Sequence, residues 1–193
     1  MDARFEKILL EQVRNGDDAS FKALVHEHSA RLIRMAWRMV GNREDAEDLV
    51  QETFVRLYKS IASFREESRL STWLYRTLSR LAIDHFRHQK LKRKIFFFQT
   101  SNEDLDPIEQ AADPGATPAE NYLTGEAGRK IVKAMEKLSA RQRLVFTLRH
   151  HEGMALKEIA QVLELEEGTI KIHLHRAVHF LRNELKDLQG GLS

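Results

Sequence analysis

Residues 44–87 read EDAEDLVQETFVRLYKSIASFREESRLSTWLYRTLSRLAIDHFR, and this stretch decides the fold that the sequence predicts. Asn42 and the acidic residues after it suit a helix N-terminus, and the apolar residues that follow recur at steps of three and four. A charged turn over residues 64–70 precedes a second helix, which Ser68 or Ser71 can cap and which carries its own leucine stripe. The stretch therefore predicts two amphipathic helices joined by a turn.

The polar side of the first helix carries the carboxylates of Asp45, Asp48 and Glu52, three and four residues apart. Spacing alone favours a solvated acidic helix start, because the helix dipole stabilises anions there. Carboxylates at this spacing can also bind a metal ion or act as acid and base. Neither a nearby histidine nor a glycine-rich phosphate loop in the sequence supports those alternatives.

The second helix carries cations next to an aromatic ring. One of its faces presents Trp73, Arg76, Thr77, Arg80, Asp84 and Arg87. This combination suits nucleic acid, because arginine neutralises phosphate and rings stack on unpaired bases. A half-buried tryptophan among solvated arginines explains the same pattern equally well.

A second pattern lies at residues 156–182, LKEIAQVLELEEGTIKIHLHRAVHFLR. Two apolar-striped helices with a tight turn between them are typical of a helix-turn-helix. The second of these helices turns Lys171, Ile172, His175, Arg176 and His179 outward, with Thr169 near its start. His175 and His179 have the spacing of a metal pair, but the sequence offers no third ligand, so they are interpreted as surface or phosphate-contacting groups.

The net charge of +2 conceals an uneven distribution. Residues 1–95 and 129–193 are both basic, whereas residues 96–128 contain seven acidic residues, all three prolines and no Lys or Arg. Basic ends suit a polyanion, and the middle composition predicts a flexible acidic linker. The two basic ends are therefore the candidate domains of the 193-residue chain.

Composition also excludes several classes of protein. The absence of cysteine excludes disulfides and thiolate metal sites, and it fits a reducing compartment. No run approaches the ~18 apolar residues of a membrane span, and the first residues lack the apolar core of a signal peptide. The sequence therefore predicts a cytoplasmic protein, without membrane insertion, a cofactor or a metal ion.

Together the two patterns resemble the extracytoplasmic-function sigma factors of bacterial RNA polymerase. Residues 45–58 and 64–87 are similar to their second conserved region. Residues 138–177, which include EIA and GTIK…LHRA, are similar to their fourth. The resemblance implies an all-α fold with two small helical domains. It places a region 2 bundle at 1–95 and a region 4 helix-turn-helix at 129–193, joined by the flexible acidic linker at 96–128.

The resemblance also implies three sets of site residues. The set implied to dock on the clamp helices of the largest polymerase subunit is Asp45, Asp48, Gln51, Glu52 and Arg56. The set implied to recognise and open the promoter's minus-ten element is Phe64, Arg65, Ser68, Arg69, Trp73, Arg76, Arg80, Asp84 and Arg87. The set implied to read the minus-thirty-five element is Glu167, Thr169, Lys171, Ile172, His173, His175, Arg176 and His179.

The implied activity is that of a transcription initiation factor, not an enzyme. Its implied partners are core RNA polymerase (including the flap of the second-largest subunit), promoter DNA and an anti-sigma factor, which is commonly membrane-bound. A stand-alone helix-turn-helix regulator would leave residues 44–87 unexplained, and a metalloenzyme would lack a ligand set. The chain departs from the family at Glu164, where glycine is frequent, at Glu166 and Glu167 in place of Pro-Val, and at His173 in place of arginine. These differences bear on the promoter sequence rather than on the fold.

Overall fold

The computed structural model describes residues 3–64, 69–99 and 126–186. Within these ranges the chain forms eight α-helices and one 3₁₀ turn, Ile61–Ser63, and contains no strand, which confirms the predicted all-α fold. The helices are α1 Ala3–Arg14, α2 Asp18–Val40, α3 Arg43–Ser60, α4 Leu70–Gln99, α5 Glu126–Glu136, α6 Ala140–His150, α7 Leu156–Leu163 and α8 Glu167–Glu184.

Local capping fixes the end of α2 and the start of α3. Helix α2 ends at Gly41, whose backbone is left-handed (φ 75°) and whose N–H donates to the Trp37 carbonyl at 2.7 Å. A glycine adopts this conformation without the Cβ clash that other residues meet. The Asn42 side chain then accepts a hydrogen bond from the Asp45 N–H at 3.3 Å, which confirms the predicted cap of α3.

The N-terminal helices pack around the leucine stripe of α4. Leu70, Leu74 and Leu78 are fully buried against partners from α2 and α3, among them Leu24 and Leu57. Burying one such side chain stabilises the folded state by roughly 1.5–3 kcal/mol. Because this stripe faces inward, the helical repeat turns the arginines of α4 toward its other sides.

The C-terminal helices form the predicted helix-turn-helix. Ile159 and Val162 of α7 and Ile170 of α8 are buried. A second apolar cluster fixes α5 against α8 through Ala134, Met135, Leu138, Ala177 and Leu181. The first residues of the predicted linker, 96–99, belong to α4, and its last residues, 126–128, belong to α5. Residues 100–125 lie outside the described residues. The flexibility of this linker therefore stays a prediction.

The two halves of the chain share one apolar core, which the sequence pattern does not predict. Leu144 and Leu148 of α6 belong to the same buried cluster as the leucines of α2 and α4. Arg143, only 5% exposed, donates from Nη1 to the Met39 carbonyl at 2.6 Å, and its guanidinium lies 5.0 Å from the centre of the Phe86 ring. The C-terminal helices are thus folded back onto the N-terminal bundle.

Three histidines are held partly out of water. Burial lowers the pKa of His28 on α2, although the carboxylate of Glu6, 3.5 Å from Nε2, opposes the shift. Burial also lowers the pKa of His151 and of His173. In each case the folded state favours the neutral ring.

The unfolding free energy is expected to fall as the pH is lowered through the ordinary histidine value of 6.5. Below that pH the unfolded chain binds protons that the folded chain, with its lowered pKa, does not bind, so protonation favours unfolding. Urea unfolding at a series of pH values checks this, and His28→Gln should flatten the dependence. The exposed His26 on the same helix provides the control, and an equal flattening by His26→Gln would contradict the assignment.

Candidate functional site

The acidic face of the protein is the exposed side of α3 that carries Asp45, Asp48, Gln51, Glu52 and Arg56. Glu52 accepts a hydrogen bond from Arg56 Nε at 2.8 Å, one helical turn away. Asp45 lies nearer α4, where its carboxylate is 3.5 Å from His85 Nε2. The predicted docking residues therefore lie together along one helix, with Asp48 and Glu52 turned to solvent.

An open apolar groove of about 550 Å³ lies beside the acidic face, between α2 and α3. Val25, Ile33, Phe54 and Tyr58 line it, and Gln51 belongs to both the groove and the acidic face. Tyr58 packs edge-on against Phe21 with the ring centres 5.0 Å apart. Sequence analysis missed this groove, although exposed apolar residues between polar ones on α3 are its signal.

The arginine face is the side of α4 that carries Trp73, Arg76, Arg80, Asp84 and Arg87. The Arg87 side chain is 70% exposed and donates to Asp84 at 3.2 Å. Trp73 is half-buried, and its ring lies edge-on to that of Phe64, at 6.3 Å between centres. Arg69 is exposed at the start of α4, whereas Arg65 and Ser68 lie outside the described residues.

Part of the arginine face touches the C-terminal helices. Arg80 Nη2 donates to Glu164 Oε2 at 2.5 Å, and Arg76 Nη1 lies 3.6 Å from the other oxygen of the same carboxylate. Arg76 Nη2 also donates to the Gln161 carbonyl at 3.1 Å. The predicted minus-ten residues therefore divide into two groups. The outer group lies around Arg87, and the inner pair, Arg76 and Arg80, is bound by Glu164.

Glu164 has an unusual backbone. It ends α7 in the left-handed region (φ 53°, ψ 48°), and it is the one residue other than glycine with a positive φ among those the structure describes. For a residue with a Cβ this conformation costs about 1–2 kcal/mol, which explains why glycine is the common choice at such a turn. The chain thus carries an acidic side chain at a position where the left-handed backbone favours glycine.

A second carboxylate, that of Glu152, connects the C-terminal helices to the N-terminal bundle. The Glu152 side chain, only 4% exposed, accepts from Arg31 Nε at 2.7 Å and from the Tyr75 hydroxyl at 3.1 Å, and it lies 4.0 Å from Arg38. Burial, and then the nearby Glu152 carboxylate, raise the pKa of Tyr75, so its hydroxyl stays protonated and donates. Sequence analysis assigned no role to Glu152 and missed this contact.

Helix α8 presents the predicted reading residues largely as expected. Lys171, Ile172, His175, Arg176 and His179 are exposed, whereas Thr169 and His173 are partly buried. Glu167 and Lys171 form an ion pair at 2.9 Å, and the rings of His175 and His179 stack with their centres 6.3 Å apart. Among the described residues, no three His, Asp or Glu side chains are arranged to hold a metal ion.

The described helices include none that combines the length and apolar character needed to cross a membrane.

Two family models match this chain. The Sigma-70 region 2 model matches residues 24–92, and the Sigma-70, region 4 model matches residues 128–181. The first match contains the acidic face and the arginine face, and the second contains α7 and α8 as far as Leu181.

Curated relatives match over nearly the whole chain. The ECF RNA polymerase sigma factor SigW of Bacillus subtilis is 32% identical over 179 residues, which cover 93% of this chain and 96% of that protein. The ECF RNA polymerase sigma-E factor of Haemophilus influenzae is 30% identical over 95% of this chain and 96% of its own length. The corresponding sigma-E factor of Escherichia coli K12 is 29% identical over 95% of each chain.

Two solved structures resemble the fold. The sigma factor RpoE of Bartonella quintana, in complex with the anti-sigma factor NepR, superposes with a TM-score of 0.61 at 26% identity, covering 86% of this chain and 96% of that one. CnrH, in complex with the cytosolic domain of CnrY, gives a TM-score of 0.64 at 23% identity and covers both chains fully.

Proposed function

Because the chain belongs to the extracytoplasmic-function (ECF) sigma factors of bacterial RNA polymerase, we propose that it directs the core enzyme to specific promoters through the acidic face, the arginine face and α8. The observation that carries the proposal is the match of both sigma regions, in order, within a chain 32% identical to SigW over 93% of its length. A stand-alone helix-turn-helix regulator does not account for the region 2 match.

The test of the function is transcription from a genomic promoter pool by core polymerase with and without this chain. Promoter-directed transcripts that depend on the chain are expected, and sequencing their starts identifies the promoter elements. Binding of the chain to duplex DNA without affinity for core polymerase would favour the stand-alone regulator instead.

The acidic face, with the groove beside it, is the proposed polymerase dock. Its carboxylates suit a basic partner surface, because complementary charge accelerates encounter and disfavours wrong partners. The neighbouring groove offers an apolar surface that a partner's side chains can fill. In the family this part of region 2 faces the clamp helices of the largest subunit, and the flap of the second-largest subunit receives region 4.

Asp48→Lys is expected to weaken binding to core polymerase by about 10-fold, because it places a cation in a surface built for a cationic partner. Helix content should be unchanged, since Asp48 is exposed and Glu44 and Glu52 lie one turn away on either side. Titration of labelled chain with core polymerase measures the affinity. Glu11→Lys, the same charge change on the exposed side of α1, is the matched control, and equal effects of the two would refute the dock.

The arginine face is the proposed surface for the opened minus-ten element. The exposed Arg87 guanidinium, oriented by Asp84, is placed to neutralise a backbone phosphate. The Phe64 and Trp73 rings supply stacking surface near the turn. Phe64, Arg65, Ser68 and Arg69 are proposed to hold a base that leaves the stack, an assignment carried by the family resemblance alone.

Arg87→Gln is expected to leave core binding unchanged and to reduce promoter opening about 10-fold, because one phosphate contact is lost from the melted strand. Permanganate reactivity of unpaired thymines in the holoenzyme complex measures the opening. Arg87 suits this test better than Arg80, because its partner Asp84 lies within α4. Lys22→Gln on α2 removes a charge elsewhere, and an equal loss of reactivity with that variant would refute the assignment.

Helix α8 is the proposed reader of the minus-thirty-five element. An exposed helix in this motif enters the major groove, where Arg and Lys read guanine and an acidic residue accepts from cytosine N4. Arg176 and Lys171 are the proposed cationic contacts, and Glu167 at the helix start is the proposed acceptor. Thr169, Ile172, His173, His175 and His179 complete the proposed surface.

Arg176→Gln is expected to cost about 1–3 kcal/mol of binding to the minus-thirty-five duplex and to relax the base preference at one position. Selection of bound sequences from a randomised element, performed with holoenzyme, measures both effects. Arg182→Gln, six residues further along α8, should change neither. Uniform weakening across all sequences would show that Arg176 contacts only phosphate.

An anti-sigma factor is the proposed regulator. RpoE of Bartonella quintana, 26% identical to this chain, was solved in complex with such a factor, NepR. For the anti-sigma factor of this chain, membrane attachment is implied only by the family resemblance.

A further inference from the structure

We propose that Arg14, the last residue of α1, is a positioning residue for the proposed minus-ten surface. It fixes the backbone at Phe64 and so holds the Phe64 ring where an unpaired base would stack. Arg14 lies before residues 24–92, which the region 2 model matches, and it belongs to none of the three predicted sets of site residues. The inference rests on the proposed function in one respect, since that function gives Phe64 its role in minus-ten recognition.

The first support is a two-point contact between α1 and the 3₁₀ turn that follows α3. Arg14 Nη2 donates to the Phe64 carbonyl at 2.5 Å, and Arg14 Nε donates to the Ile61 carbonyl at 3.3 Å. These two residues are 50 and 47 positions away from Arg14 in sequence. A guanidinium is a rigid planar group with several donors, so two bonds from it restrain both carbonyls at once.

The second support is the position of the two carbonyls at the end of the turn. The Phe64 N–H donates to the Ile61 carbonyl at 3.3 Å, which closes the turn. Phe64 itself has an extended backbone (φ −66°, ψ 104°), so its carbonyl leaves the helical series of hydrogen bonds. Carbonyls at the end of a helix need partners from outside that series, and basic side chains are suited to supply them. Arg14 therefore fixes the point at which the chain leaves the turn.

The third support is that Arg14 extends from a well-anchored part of α1. Val13, one residue earlier, is buried in the main apolar core together with the Ile61 side chain. Ser20 of α2 is also buried, and its hydroxyl lies 2.7 Å from Gln12 Oε1, which ties the end of α1 to α2. The guanidinium thus restrains the turn relative to the bundle rather than moving with it.

The restraint reaches the aromatic pair of the proposed minus-ten surface. The Phe64 and Trp73 side chains are half-buried, and their rings lie edge-on with the centres 6.3 Å apart. When the backbone at Phe64 is held, its ring keeps this place before DNA arrives, and less ordering is left for the strand to impose. A ring that is free to shift accommodates more than one base. Loss of the Arg14 bonds should therefore reduce base selectivity more than it reduces general attraction to the strand.

The test measures binding of holoenzyme to single-stranded oligonucleotides that carry the non-template minus-ten element of a promoter found by sequencing this chain's transcripts. One oligonucleotide has the promoter's own bases, and the others each have one base of the element changed. Arg14→Met keeps the apolar stem but removes both donors, so it should lower the ratio of affinities at one position by about 5-fold. Arg14→Lys keeps the charge and a single donor group, and its ratio should fall between the two.

Arg4→Met is the matched control, because it makes the same change at the exposed start of the same helix. It should keep the wild-type ratio, and both variants should keep the affinity for core polymerase. A variant that is partly unfolded loses active molecules, which lowers the amount bound to every oligonucleotide and leaves the ratio unchanged. The ratio therefore separates positioning from a purely structural role.

A second measurement detects the aromatic pair without DNA. The chain contains two tryptophans, so Trp37→Phe leaves Trp73 as the single one. In the free, full-length chain with that change, Arg14→Met should increase the quenching of Trp73 fluorescence by acrylamide and shift its emission to longer wavelength, because Phe64 no longer stays against the indole. Arg4→Met should do neither.

An unchanged affinity ratio in Arg14→Met, or an equal fall in Arg4→Met, would overturn the inference. So would unchanged quenching of Trp73. A uniform loss of affinity whose salt dependence is shallower by about one ion would instead identify Arg14 as a phosphate contact, which also overturns positioning. Failure of the proposed function would show separately, as no promoter-directed transcription by wild-type holoenzyme, and the quenching measurement needs no promoter.

Discussion

The inward packing of the α4 leucines is the constraint on which the rest of the structure depends. Leu70, Leu74 and Leu78 are fully buried, so the helical repeat leaves only the other sides of α4 for its cations. The first consequence is the arginine face. The second is that α4 contacts the acidic face through His85 and the C-terminal helices through Arg80. One helix therefore lies between the proposed polymerase dock and the proposed reader of the distant promoter element.

The features that sequence analysis predicted are those encoded within a few residues. The cap at Asn42, the buried stripe of α4 and the outward face of α8 follow from helical spacing and local hydrogen bonding. The contacts that it missed join residues far apart in the chain. Arg143 reaches the Met39 carbonyl across 104 positions. Periodicity carries no information about such a partner, because any exposed arginine on α6 produces the same pattern.

The candidate site divides in the same way. Its residue types and their faces were predictable, and the resemblance supplied their roles. The engagement of Arg76 and Arg80 was not predictable, since it depends on how two separately patterned halves pack. Glu152 shows the same limit: beside a glycine turn it has no local partner, yet its carboxylate is 4% exposed and accepts from Arg31 and Tyr75. Burying a carboxylate costs free energy unless charged or hydrogen-bonding partners compensate, and Arg31 and Tyr75 supply those partners here.

The three acidic residues near the start of α8 have different environments, and this difference bears on how a helix with so acidic a start can approach DNA. Glu167 is paired with Lys171 one turn along α8, and the helix dipole stabilises its charge. Glu166 is exposed at the N-cap position. Glu164 instead faces α4, where Arg76 and Arg80 neutralise it. Two of the three carboxylates are therefore already paired with cations of the same chain, which reduces the negative charge that this turn presents to a phosphate backbone.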